Sequence, residues 1–263
     1  MKILLSGLVV LAMATAGYGK MVTQTVQYKH KGTMQAGYLA YDDAVQGKRP
    51  GVLIIHEWWG LNDFAKQAAI RVAHLGYMAL AADMYGQGKV TQDPEEARGW
   101  AGQVKGTPLM RERALAGLKV LAQNDRVDSR RLGAMGFCFG GTTVLELAYS
   151  GADLRGVVSF HGGLTAPRPE DQKNLKASIL VLHGADDPTV KPEDMAAFQE
   201  AMRQAKADWQ MVLFGGAVHS FTNPEADRLK IPGVAYDALT AARSYKYMEL
   251  FFKEIFSLGN GAH

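Results

Sequence analysis

Arg131-Leu132-Gly133-Ala134-Met135-Gly136 runs into Gly136-Phe137-Cys138-Phe139-Gly140-Gly141, and on this passage the fold turns. The first six residues suit a strand, and a helix is expected from about Gly140. A turn this tight leaves no room for side chains around its apex, which is why glycines stand at 136 and 140. The apex residue, Cys138, is lifted to the end of the strand and to a helix N-terminus. There, unpaired N–H groups and the helix dipole favour a thiolate. The Phe139 N–H is left free to donate to a developing oxyanion. A lone cysteine is often a small buried hydrophobe, but its place between these glycines argues for a nucleophile.

Outward from this turn, short apolar runs alternate with amphipathic ones. Towards the N-terminus, Val22–Asp42 reads as a β-hairpin with Gly32 in its turn. Gly51–His56 is a continuous apolar run suited to a strand covered on both faces. Asn62/Asp63 caps a helix whose apolar positions are Phe64, Ala68, Val72 and Leu75, and Gly76 ends it. A strand over Tyr77–Ala82 and a helix over Leu109–Leu121 lead into the turn. Beyond it come strands at Gly156–Phe160, Ser178–His183 and Trp209–Phe214, and helices over about 192–205 and 236–255. The pattern predicts an α/β fold with a mostly parallel central sheet of about eight strands and helices on both faces. In such sheets the chemistry sits at the carboxyl ends of the strands.

Those ends carry candidates in a telling order. After the Ser178–His183 strand come Asp186 and Asp187, either of which can orient a catalytic histidine or simply form a turn. After the Trp209–Phe214 strand, Gly215-Gly216-Ala217-Val218-His219-Ser220-Phe221 places His219 in a glycine-rich loop as a general base. Cysteine, acid and histidine in that chain order, each after a successive strand, is the order of a nucleophilic triad on this kind of sheet. The loop after Gly51–His56 reads His56-Glu57-Trp58-Trp59-Gly60-Leu61, and a backbone N–H there, at Trp58, faces that of Phe139 across an oxyanion. His56 reads as a strand-end structural residue. Trp58, Trp59, Tyr85 and Phe221 are candidates for an apolar pocket wall.

The chain has 263 residues, 48% hydrophobic and 21% charged, which suits one large folded domain over 20–263 rather than disorder. The formal net charge is only +3, with no basic run, so nucleic acid is not an expected partner. The seven histidines show no paired metal spacing, and no metal is expected. Met1-Lys2, the apolar run Ile3–Met13 and the small residues Ala14, Ala16, Gly17 and Gly19 have the layout of a signal peptide over 1–19, with cleavage after Ala16 or Gly19. An uncleaved anchor is the alternative. The expected address is periplasmic or secreted, with no stable membrane partner after cleavage. With a single cysteine, no intramolecular disulfide can form.

At this point the chain resembles the dienelactone hydrolase (carboxymethylenebutenolidase) family, from roughly Tyr38 to Phe256. The resemblance rests on His-Glu-Trp-Trp-Gly-Leu at 56–61, Ala-Asp-Met-Tyr at 82–85, Gly-Phe-Cys-Phe-Gly-Gly at 136–141, Asp-Pro-Thr-Val at 187–190 and His-Ser-Phe at 219–221. It implies the α/β-hydrolase fold, no cofactor and the triad Cys138, Asp187 and His219. It also implies that Glu57 contacts the resting thiol and moves away when a substrate binds. The expected activity is cleavage of a small-molecule ester or lactone through a thioester. Arg98 matches a family residue that grips a substrate carboxylate, whereas Asn223 stands near the position of a second arginine. A thiol redox or sensor protein on the same scaffold is the competing reading. Oligomeric state is not legible.

Overall fold

In the computed structural model, residues 19–257 are described. The leader expected over 1–19 therefore lies outside the described residues, except for Gly19. In chain order the elements are β1 (Met21–His30), β2 (Thr33–Asp42), β3 (Arg49–Ile55), α1 (Asp63–His74), β4 (Met78–Ala82), α2 (Pro94–Val104), α3 (Pro108–Ala122), β5 (Val127–Phe137), α4 (Phe139–Tyr149), β6 (Gly156–Phe160), α5 (Pro169–Gln172), β7 (Ser178–Gly184), α6 (Pro192–Gln204), β8 (Trp209–Phe214) and α7 (Ala238–Ser257). A 3-10 turn spans Ala226–Leu229.

The strands form one eight-stranded sheet in the order β1-β2-β4-β3-β5-β6-β7-β8. β1 pairs antiparallel with β2, and β2 antiparallel with β4. From β4 to β8 every pairing is parallel. This is the expected α/β-hydrolase architecture, a mostly parallel sheet carrying helices on both faces.

Side-chain alternation along the central strands builds two cores, because successive residues of a strand point to opposite faces. Leu53, Ile55, Ala134, Val157, Ile179 and Val181 pack with Met110, Ala114, Leu118, Val144 and Phe198 from α3, α4 and α6. Val52, Ile54, Met135, Val158, Leu180 and Leu182 pack on the other face with Ala65, Val72, Met248 and Phe252 from α1 and α7. Every residue of β3, β6 and β7 is buried. Strands with both faces covered read as predominantly apolar runs, and these do, with Arg49, Ser159, Ser178 and His183 as their buried polar members.

Two local signals operate as expected. Asn62 caps α1, its side chain accepting from the Ala65 N–H, and Gly76 follows the helix with φ +86°. Besides the short α5 and the 3-10 turn, one longer element differs: α2, capped by Asp93 and begun by Pro94, lies where the sequence pattern suggested no distinct element before Leu109. Its sequence, PEEARGWAGQV, has a weak apolar stripe, and only Ala97, Ala101 and Val104 are buried. Alanine and a single valine give periodicity little to register.

Candidate active site

The turn at Cys138 is as tight as its glycines require. Cys138 is the N-cap of α4, with φ 53° and ψ −114°, and its N–H donates to the Phe160 carbonyl at 3.0 Å. A Cβ on Gly136 would lie 2.1 Å from the Gly140 carbonyl oxygen, and one on Gly140 would lie 2.2 Å from that of Ile55. Neither site has room for alanine. A non-glycine residue at positive φ costs about 1–3 kcal/mol and persists only where its surroundings enforce it. Here the parallel β3–β5–β6 strands enforce it, and the result is a partly exposed sulfur.

The loops after β7 and β8 bring the other two groups to the sulfur. Asp187 Oδ2 accepts from His219 Nδ1 at 2.8 Å, while Oδ1 accepts from the Thr189 N–H at 2.8 Å and the Thr189 hydroxyl at 2.7 Å. Asp186, the other candidate acid, faces solvent. His219 and Cys138 line the same cavity and interact electrostatically, so the carboxylate, the imidazole and the thiol meet at one place. Burial raises the Asp187 pKa, but the His219 hydrogen bond and charge outweigh it and hold the carboxyl at about 2. Burial opposes a charge on His219 too, yet charge on Cys138 and the Asp187 hydrogen bond push its pKa well above the ordinary value.

The loop carrying His219 is held at several points. Its N–H donates to the Gly233 carbonyl at 3.0 Å, and its carbonyl accepts from Ala235 at 3.1 Å. Ser220, at φ +57°, donates through Oγ to Glu57 Oε1 at 2.9 Å, and Asn223 Nδ2 donates to Glu57 Oε2 at 2.6 Å. Thr222 Oγ1 lies 2.7 Å from His161 Nε2. Glu57 is buried, which pushes its carboxyl pKa up against the pull of Ser220 and Asn223. Its hydrogen bonds run to the loop of His219. Because Glu57 precedes Trp58, one side chain ties the His219 loop to the loop bearing a candidate oxyanion donor.

That second loop is itself fixed. The Met84 N–H donates to His56 Nε2 at 3.2 Å, so His56 Nδ1 carries the proton and donates to the Glu57 carbonyl. The Tyr85 hydroxyl donates to the Trp58 carbonyl at 2.9 Å. Asp83 accepts four backbone N–H groups, from Ala36, Tyr85, Gly86 and Gly88, and so shapes the segment beneath. Among the described residues, neither the Trp58 nor the Phe139 N–H donates to another protein group.

A cavity of about 430 Å³ opens over Cys138, Phe139, His219 and Ser220. Trp58 and Trp59 form one wall, Leu229, Ile231 and Val234 another, and Arg98, Ala101, Gly102 and Lys105 of the α2 region a third. Arg98 is exposed and ion-paired with Glu95 one turn earlier. Two aromatic candidates are elsewhere: Tyr85 is buried under the Trp58 loop, and Phe221 is fully enclosed against Phe214 and His161. Neither lines this cavity. Sequence reasoning assigned no site role to Thr189, Ser220, Thr222, His161, His183, Lys105 or the 229–234 segment. Thr189 had a usable signal, since a hydroxyl two residues after an acid can close on that acid's side chain.

The model of the dienelactone hydrolase family matches residues 35–256. Two solved structures are each 43% identical to the chain. One is named m3DLH, with TM-score 0.87 and coverage of 90% of this chain and 99% of its own. The other is described as a dienelactone hydrolase-like promiscuous phosphotriesterase from metagenomic libraries, with TM-score 0.84 and coverages of 89% and 98%. A relative from Aquifex aeolicus, provisionally named carboxymethylenebutenolidase, is 24% identical over 240 residues, which is 88% of this chain and 97% of the relative. A strand-end thiol, its histidine and carboxylate, and a match over nearly all of the sheet lead to one conclusion: this chain is a hydrolase and belongs to the dienelactone hydrolase family.

Proposed function

We propose that the protein cleaves a small-molecule carboxylic ester or lactone, with Cys138 as nucleophile, His219 as general base and acid, and Asp187 as the residue that orients His219. The observation that carries this reading is the Asp187–His219 hydrogen bond set beside Cys138, with His219 and Cys138 lining one cavity. His219 takes the thiol proton as sulfur bonds to the substrate carbonyl carbon. The Trp58 and Phe139 N–H groups hold the oxyanion, a contribution of about 3–4 kcal/mol per donor in comparable sites. The C–O bond then breaks, His219 gives its proton to the leaving alkoxide or enolate, and a thioester remains. Water attacks the thioester carbonyl while His219 accepts its proton. The returning proton restores the thiol, and the acid is released.

The cavity supports a substrate with an apolar body, packed between Trp58, Trp59, Ile231 and Val234. Its charged side chains, Arg98 and Lys105, are both cationic, which supports a substrate bearing a carboxylate. Export to the periplasm or beyond remains part of the proposal and rests on the N-terminal layout alone. A thiol sensor needs neither a carboxylate-held imidazole nor two free N–H groups at the sulfur, so the hydrolytic reading is preferred.

The test is stopped-flow kinetics with p-nitrophenyl acetate. The proposal expects a p-nitrophenol burst stoichiometric with protein, lost in Cys138→Ala. A steady rate with no burst, equal in wild type and Cys138→Ala, would refute it.

A further inference from the structure

Behind the triad lies an imidazole that the proposed chemistry does not use. His183, the penultimate residue of β7, is 1% exposed, and among the described residues neither of its ring nitrogens has a hydrogen-bond partner. A buried polar group without a partner calls for a physical account. The nearest charged atom supplies one: His183 Nε2 lies 3.8 Å from Asp187 Oδ2, the same oxygen that accepts from His219. Asp187 Oδ1 already has two donors, both from Thr189. Oδ2 has one, and a carboxylate oxygen has room for a second.

We propose that His183 is a positioning residue for the triad, whose Nε2–H closes on Asp187 Oδ2 from behind and holds the carboxylate aimed at His219 through proton transfer. The geometry makes this useful at one moment in particular. While His219 carries its proton from sulfur to the leaving oxygen, its ring must tilt, and the two atoms within hydrogen-bond distance of Nδ1, Asp187 Oδ2 at 2.8 Å and Thr189 Oγ1 at 3.1 Å, must follow it. With Oδ1 held only by Thr189, which itself reaches the ring, and Oδ2 held by the ring alone, the carboxylate would turn with the imidazole. A second donor rooted in the sheet at β7 resists that rotation. His183 remains neutral in this role, since burial lowers its pKa, and a neutral ring with its hydrogen on Nε2 is the required donor. His161, whose ring meets that of His219 edge-on at 5.3 Å between centroids, borders the same pocket, so the base is enclosed by two further imidazoles.

This inference rests on the triad reading, and its test separates the two. His183→Leu, His183→Asn and His183→Gln are compared with wild type in the p-nitrophenyl acetate burst. A second readout is the downfield proton resonance of the His219 Nδ1–H. Glutamine places its amide near the Nε2 position and asparagine falls short of it. Acylation is expected to slow about tenfold in His183→Leu and His183→Asn at unchanged KM, and to stay within about threefold in His183→Gln, as befits misplacement rather than loss of a reacting group. The Nδ1–H resonance is expected to move in the first two variants and to hold in the third. Acylation in His183→Leu equal to wild type would overturn the proposal. If His183→Leu does not fold, equal rates in His183→Asn and His183→Gln would overturn it instead. A steady rate with no burst, equal in wild type and Cys138→Ala, refutes the triad, whereas a Cys138-dependent rate indifferent to residue 183 refutes only this role.

Discussion

Asn223→Asp is a nearly isosteric change at the tie between the two active-site loops, and its consequence can be worked out. In wild type, Asn223 Nδ2 donates to buried Glu57 Oε2 at 2.6 Å, and Asn223 Oδ1 accepts from the Glu225 N–H at 3.0 Å. Aspartate keeps the second contact and replaces the first with two carboxyl oxygens at the same separation. Two carboxylates so close cannot both ionise, so the folded pair retains one proton to higher pH. Wild-type Glu57 already has a raised pKa through burial, and the donors Ser220 and Asn223 restrain that rise. Removing one donor and adding a like charge pushes the pair higher still. A group whose folded pKa exceeds its unfolded value loses stability as pH rises from the unfolded value to the folded one. The variant should therefore match wild type near pH 4.5 and fall away from it once wild-type Glu57 has ionised. One extra bound proton corresponds to a slope of about 1.4 kcal/mol per pH unit. Two pH units give about 3 kcal/mol, or roughly 6–12 °C in Tm for a domain of this size. Thermal melts of both proteins from pH 4.5 to pH 8 read this directly. Curves that run parallel over the whole range would refute the reasoning about a buried Glu57–Asn223 contact.

Three further outcomes follow from the same geometry. Asp187→Asn should leave the fold intact and lower the acylation rate by about 10³–10⁴, since an amide cannot hold His219 in the tautomer that accepts the thiol proton. In wild type, the Asp187 carboxyl at about 2 adds stability that is fully present above its unfolded value of 3.8 and is lost as pH falls through about 2, so the melting curves of wild type and Asp187→Asn should converge in acid. Gly140→Ala places a methyl 2.2 Å from the Ile55 carbonyl oxygen and 2.7 Å from that of His56; it should cost about 3 kcal/mol or more and abolish the burst, as calorimetry and stopped flow would report. Lys105→Gln should raise KM for a carboxylate-bearing ester several-fold more than Arg98→Gln, because Arg98 is paired with Glu95 whereas Lys105 has no ion-pair partner among the described residues. Equal KM values for neutral and anionic esters in both variants would remove the anionic-substrate reading.

Much of this fold is legible because its signals are local. A strand covered on both faces is predominantly apolar, so the runs at 51–55, 156–160 and 178–182 in β3, β6 and β7 announce themselves. The turn at Cys138 is legible because crowding there admits only glycine at 136 and 140, and that demand is written at fixed spacing. What stays hidden depends on contacts between distant segments. Glu57 meets Ser220 and Asn223 across more than 160 residues, and His161 meets Thr222 across 61. No periodicity encodes such pairs. Phe221 shows the converse problem: its place after His219 suits a pocket wall, yet the chain turns it into the core against Phe214. Side-chain direction at strand ends follows loop geometry, which composition does not specify.

The most direct test of the central claim is to trap the covalent intermediate. Protein mixed with p-nitrophenyl acetate and acid-quenched within the burst should gain the mass of one acetyl group, and peptide mapping should place it on Cys138. The adduct should be absent from Cys138→Ala and should vanish on longer incubation as water cleaves the thioester. Turnover with unmodified Cys138 throughout, or acetyl found on another residue, would contradict the account.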